Sequence, residues 1–253
     1  MRRIISFKCI SLTAIACALL LCACGQKTHP PMDEALEYIK SDSEVTCVEV
    51  PVADWDNRPY YVFSPAAGDA ATAFIIYGGS QVDPRSYAPH AYGLARQGYT
   101  VVLVSMPSDM ALLAPERADT VIDALASVDT WVIGGHSMGG IAASAYAKDN
   151  LDKIDAVIMW ASYPTEDNRL DQTDLAALTL YATYDGIYTP ETVEESLEHL
   201  PPGTVMVEIE GGNHFQFGWY QNDHKPYDGD AVISREEQTS LVVETTAAFL
   251  DSL

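Results

Sequence analysis

The ten residues Trp131 to Gly140, WVIGGHSMGG, decide how this chain is read. The run opens as a strand over Thr130 to Gly134, because Trp131, Val132 and Ile133 are apolar and β-prone, and the small residues that follow predict a helix over Gly140 to Lys148. Between the two stands Ser137, with Gly135 and Gly139 on either side. A strand that turns so abruptly into a helix brings backbone back against itself, so both flanking positions must lack a Cβ, and the serine hydroxyl is left clear at the strand's end. The spacing alone is weak evidence. The strand, turn and helix around it make Ser137 a candidate nucleophile, with Met138 supplying a backbone N–H at the helix start.

Outward from this turn the same alternation continues. Apolar β-runs occupy Ala71 to Tyr77, Tyr99 to Ser105, Ile154 to Trp160, Leu178 to Ala182 and Thr204 to Glu210, and continuous apolar strands imply burial on both faces. Helical stretches lie between them at Ser86 to Gln97, Ala114 to Ser127, Pro190 to His199 and Ser234 to Leu253, with a short one at Asp33 to Lys40. Val45 to Val50 and Tyr60 to Ser64, joined by a turn-rich link, read as an antiparallel entry to the sheet. The pattern predicts an α/β fold, a mostly parallel doubly wound sheet with helices on both faces and its ligand site beyond the carboxyl ends of the strands. Ala161 to Ala177 is too short for a helical cap domain.

The amino terminus is a separate matter. Arg2, Arg3 and Lys8 precede an apolar core from Cys9 to Leu21 that is short for a bilayer span, which predicts an export signal over residues 1–23. It ends in Leu21-Cys22-Ala23-Cys24-Gly25, which resembles a bacterial lipobox with Cys24 as the lipid acceptor. Residues 24–32, with two prolines and no periodicity, read as the lipidated cysteine and a tether, and residues 33–253 as one domain. Localisation on the outer side of a bacterial membrane follows as an expectation. Of the five cysteines only Cys47 lies in the body of the domain, so no disulfide framework is expected there.

The formal net charge is −22. Removing the signal takes away three basic residues and no acidic one, leaving −25, a surface that repels nucleic acid. No zinc-type Cys/His spacing and no phosphate-cradling glycine loop is present, so no cofactor and no metal is expected.

A serine hydroxyl becomes a useful nucleophile when a histidine accepts its proton and a carboxylate holds that histidine's tautomer. The candidates at strand ends are Asp185, in YATYDGIYTP, and His214, in IEGGNHFQFG, giving the chain order Ser137, Asp185, His214. Glu166, Asp167 and Asp171 are rival acids, and His136, beside the serine, is expected to be turned away by the elbow. A tetrahedral intermediate needs two donors for its oxyanion: Met138 is one, and Gly79 or Ser80, in the Tyr77-Gly78-Gly79-Ser80 loop, is the other. Tyr77, Trp160 and Tyr163, at or near strand ends, are candidate substrate-binding residues.

Taken together, YGGSQVDPRSYAPHA, GYTVVLVSMP, GGHSMGGIAA, YATYDGIYTP and GGNHFQFG, spanning Tyr77 to Gly218, resemble a small uncapped member of the α/β-hydrolase superfamily, in the dienelactone-hydrolase-like fold-5 group. Tyr77 stands where many esterases of this kind carry histidine, and Ser137 where dienelactone hydrolases carry cysteine, which argues against dienelactone chemistry. The resemblance implies a serine hydrolase that cleaves carboxylic esters through an acyl-Ser137 intermediate. Lacking a cap, it suits short-chain or polymer-borne esters. Thioesterase, peptidase or acyltransferase chemistry on the same residues, or a non-catalytic binding role, are the alternatives.

Overall fold

The computed structural model describes residues 28–55, 57–68, 70–221 and 227–253. The proposed signal and Cys24 lie outside them. Eight strands form a single sheet: β1 (Val45–Pro51), β2 (Pro59–Pro65), β3 (Thr72–Tyr77), β4 (Thr100–Val104), β5 (Thr130–His136), β6 (Ala156–Trp160), β7 (Ala176–Ala182) and β8 (Val205–Ile209). Their order is β1-β2-β4-β3-β5-β6-β7-β8. β2 is antiparallel to both β1 and β4, and the remaining pairings are parallel. The antiparallel entry and the parallel body are as the sequence predicts.

The helices are α1 (Asp33–Leu36), α2 (Ala88–Arg96), α3 (Arg117–Ala124), α4 (Met138–Asp149), α5 (Pro190–Ser196) and α6 (Arg235–Leu250). Alternation along the central strands sends side chains into two layers. Phe74 and Ile76 of β3 pack with Leu94 of α2 and with Val242 and Phe249 of α6, whereas Ile75 and Tyr77 pack with Val121 of α3 and with Ala142 and Tyr146 of α4. Each such aliphatic or phenyl side chain taken fully out of water contributes about 1.5–3 kcal/mol. Both faces of the sheet are therefore closed, and its open edge for chemistry is the end where the parallel strands finish.

Several predicted boundaries shift. β5 runs two residues past Gly134, because Gly135 pairs with Tyr77 and Met159 and His136 with Trp160, so the sheet holds the chain up to the serine itself. The helix expected over Asp33 to Lys40 stops after one turn at Leu36. Asp42 then accepts the N–H groups of Glu44 and Val45 and turns the chain into β1. Thr189 and Ser234 cap α5 and α6, each accepting the N–H three residues on, from Thr192 and Glu237. The link from β6 to β7 holds only a short turn at Glu166–Asn168 and no cap.

The described part of the presumed tether is docked on the domain: His29 bridges to Val82 and Pro31 to Tyr220. The His29 N–H donates to Gln81 O at 2.6 Å, and the Met32 N–H to Trp219 O at 2.8 Å. Prolines, which periodicity arguments treat as breakers, are well suited to an extended strap that donates few hydrogen bonds.

Candidate active site

Ser137 sits at φ 53°, ψ −124°, a conformation that side-chain-bearing residues rarely adopt and that costs of order 1–3 kcal/mol. The surrounding backbone imposes it. The Ser137 N–H donates to Trp160 O at 3.0 Å, and its carbonyl accepts from the Ser162 hydroxyl at 2.6 Å and from the Gly140 N–H at 3.1 Å. A Cβ on Gly135 would lie 2.2 Å from Tyr77 O, and one on Gly139 2.1 Å from the same atom. The crossing that the glycines were expected to permit is thus present.

His214 follows β8 through Gly211, at φ 82°, and Gly212. Its Nδ1 lies 2.8 Å from Asp185 Oδ2, with both side chains closed to solvent. The other Asp185 oxygen accepts the N–H groups of Ile187 and Tyr188, so three donors fix that carboxylate. Asp228, which the sequence did not single out, ties the two loops together. Its Oδ1 accepts from Gly186 N–H at 3.0 Å and His214 N–H at 3.3 Å, and its Oδ2 from Phe215 N–H at 2.9 Å. Two of the rival acids are engaged elsewhere: Glu166 pairs with Arg169 and His199, and Asp171 with Arg169.

Ser137 and His214 line one cavity of about 140 Å³ together with His29, Gly79, Ser80, Val82, His136, Ile187, Phe215 and Tyr220. Among the described residues no hydrogen bond joins the Ser137 hydroxyl to His214, a contact that commonly tightens only when substrate is bound. At the oxyanion end, the Gly79 N–H is already donated to the Tyr87 phenol at 2.9 Å. The Ser80 and Met138 N–H groups make no hydrogen bond among the described residues.

The substrate-binding residues expected from the sequence need correcting. Tyr77 is fully buried, its hydroxyl donating to Pro115 O, and Trp160 is fully buried against Phe74 and Thr246. Both belong to the core because strand ends in this sheet are still covered by helices. Tyr163 stacks on Tyr188 outside the cavity. The wall is made instead by residues from loops distant in sequence. The dense aromatic run after His214, which supplies Phe215 and Tyr220, was the one available signal. His136 is not turned away: its ring lies 4.6 Å from that of His214, and its Nδ1 2.9 Å from Tyr87 Oη. Burial, with His214 adjacent, holds it well below the ordinary histidine range, so it is neutral and an acceptor from Tyr87.

Away from this site, burial and Glu49 push the Cys47 thiol up to about 11, which leaves it unreactive. Among the described residues the cluster with metal-ligand geometry is Glu166, Glu198 and His199, and Arg169 already bridges its carboxylates.

The sequence model of the alpha/beta hydrolase family matches residues 73–240, from β3 through the strained serine and His214 into α6. The chain belongs to the alpha/beta hydrolase family. A search of curated proteins finds no match. Solved structures share the fold at low identity. A predicted CIB-like hydrolase from Thermoplasma acidophilum superposes with a TM-score of 0.62 at 16% identity, over 83% of this chain and 100% of that one. Est1E from Butyrivibrio proteoclasticus, solved with ferulic acid bound, gives 0.59 at 16% identity, over 81% of this chain and 98% of that one. The esterase domain of a Rhodothermus marinus protein gives 0.59 at 13% identity, over 81% and 97%. This alpha/beta hydrolase shares with all three the arrangement of sheet and helices.

Proposed function

We propose that this alpha/beta hydrolase cleaves carboxylic esters through an acyl-Ser137 intermediate. The observation that carries the reading is the strained Ser137 opening into the same small cavity as His214, whose far nitrogen is held by Asp185. In this scheme Ser137 Oγ attacks the ester carbonyl carbon while His214 Nε2 takes its proton. The oxyanion is received by the N–H groups of Met138 and Ser80. Collapse breaks the carbon–oxygen bond to the alcohol, which leaves with the proton from His214, and a water molecule activated by the same nitrogen releases the acid. The esterase names of two structural neighbours favour esters among the acyl compounds.

The cavity volume, about 140 Å³, falls below the roughly 300–1,000 Å³ usual for drug-sized ligands, which favours a short acyl group. An alcohol portion extending into solvent is compatible with a polymer-borne ester. We further propose that Cys24 carries a lipid and holds the enzyme at the outer side of a bacterial membrane, on the strength of the lipobox-like Leu21 to Gly25.

Labelling with a fluorophosphonate tests the mechanism. Wild type should react, and Ser137→Ala and His214→Ala should not; a folded wild type that fails to react removes the serine mechanism. On p-nitrophenyl esters, acetate and butyrate should turn over faster than octanoate, and the reverse order would overturn the short-acyl assignment. Intact mass of the membrane-extracted protein should show the lipid on Cys24 and its loss in Cys24→Ser.

A further inference from the structure

The docked strap joins the proposed lipid anchor to the domain beside the cavity. His29 is a wall residue of the Ser137 cavity, and its neighbours connect the two loops that flank that cavity. On one side the His29 carbonyl accepts the Asp83 N–H at 3.1 Å, and on the other the Pro30 carbonyl accepts the Gln221 N–H at 2.9 Å. The chain therefore enters the domain at the rim of the cavity. Cys24 is five residues before His29, and five residues span at most about 18 Å even when fully extended. A domain of this length has a radius of gyration of about 17 Å and so measures about 40 Å across. A lipid on Cys24 cannot reach around such a body, so the rim of the cavity must lie close to the bilayer.

Beside Ile187, a wall residue of the cavity, exposed aromatic side chains gather. Tyr184, Ile187 and Tyr227 are 43%, 44% and 74% exposed, although side chains of this kind are more often covered. They belong together: Tyr184 O accepts the Gly229 N–H at 3.0 Å, and a Cβ on Gly186 would meet Tyr227 O at 2.4 Å. Tyrosine and aliphatic side chains in this position suit the headgroup layer of a membrane. Charge does not draw the protein there, since a net −25 is repelled by anionic lipid, and the covalent anchor is what supplies the attraction.

We infer that the catalytic mouth faces the lipid surface that carries the anchor, with Tyr184, Ile187 and Tyr227 against the headgroups, and that the enzyme takes esters presented at that surface. This rests on the proposed lipidation of Cys24 and on the proposed esterase reading.

The test uses the full chain, processed in a bacterium, purified and reconstituted into phosphatidylcholine vesicles with a headgroup-attached nitroxide quencher. In a Cys47→Ser background a fluorophore is placed at Tyr184→Cys, on the rim, or at Leu151→Cys, which is exposed in the turn before β6 at the other end of the sheet. The two ends are about 20 Å apart along strands of this length, so the rim label should be quenched at least about threefold more strongly. Equal quenching, or stronger quenching at Leu151→Cys, in protein whose mass shows lipid on Cys24 would overturn the orientation and leave the anchor standing. A mass without lipid on Cys24 would overturn both. Turnover of a soluble p-nitrophenyl ester by each labelled protein reports that it is folded, and its absence in the unlabelled wild type would overturn the esterase reading and with it the use of surface esters, while the quenching still decides the orientation.

Discussion

The backbone N–H of Gly79 donates to the phenol of Tyr87 at 2.9 Å, and the same phenol lies 2.9 Å from His136 Nδ1. The loop that carries Ser80 is thus fastened from behind by a side chain on the turn before α2 and by the residue next to Ser137. Gly79 has to be glycine for this, since a Cβ there would lie 2.9 Å from His136 Nδ1.

Tyr87→Phe leaves the Gly79 N–H and His136 Nδ1 buried without a partner, at about 1–3 kcal/mol for each group. We expect a lower urea midpoint and a fall in kcat of about tenfold or more, as the oxyanion loop loses its register. Unchanged kcat in the folded variant would show that the fastening has no part in catalysis.

Ser137→Gly should be inactive and more stable. Glycine adopts φ 53°, ψ −124° without strain, and relief of about 1–3 kcal/mol exceeds the roughly 0.5–1 kcal/mol that glycine gives back through unfolded-chain entropy. A rise in Tm of about 2–4 °C per kcal/mol is expected for a domain of this size. Ser137→Ala keeps its Cβ and should show no such rise, and scanning calorimetry of the two variants makes the comparison.

Gly139→Ala should prevent folding or cost more than about 3 kcal/mol, because its Cβ would lie 2.1 Å from Tyr77 O and 2.6 Å from Gly78 O. Both are backbone atoms and cannot swing away. Wild-type expression and stability of this variant would contradict the packing described for the elbow.

Asp228→Ala should lower kcat on soluble esters by about tenfold to a hundredfold with a smaller effect on KM, because the Asp185 and His214 loops are joined through its carboxylate. Asp228→Asn keeps an acceptor oxygen and should recover part of the loss. Equal kcat in all three proteins would exclude this positioning role.

Stability should fall with acid through His90 and His136. His90 is fully buried, neither ring nitrogen has a hydrogen-bond partner among the described residues, and burial lowers its pKa from 6.5 to about 3. His136 is also lowered well below 6.5, by burial and by His214. As pH drops through 6.5 the unfolded chain binds protons that the folded protein refuses, so folding loses up to about 1.4 kcal/mol per pH unit for each histidine, and the loss from His90 levels off near pH 3. His90→Phe should be more stable at pH 5 and show a shallower loss. Urea midpoints between pH 4.5 and 7.5 measure it, and identical slopes would remove His90 as a cause.

How much of this was legible in the linear chain depends on the range of the interaction. Ser137, Asp185 and His214 could be picked out as candidates because the turn chemistry around them is local: a glycine pair, an Asp-Gly step, a Gly-Gly turn. The cavity wall could not. Trp160 and Tyr77 look like pocket residues at strand ends, yet helices cover them, whereas Ile187 and His29 carry no mark of the place they occupy.

By itself, then, the sequence determined the α/β class, the sheet with its antiparallel entry, the candidate nucleophile and the family resemblance, because apolar periodicity and glycine placement act between near neighbours. Only the tertiary structure decided that Gly79 is spent on Tyr87, that Asp228 ties the Asp185 loop to the His214 loop, and that His29 of the docked strap joins the cavity wall. The last two join residues far apart in the chain, 42 positions between Gly186 and Asp228 and 192 between His29 and Gln221. Such contacts exist only once burial of the core has brought the loops together, so no local pattern encodes them.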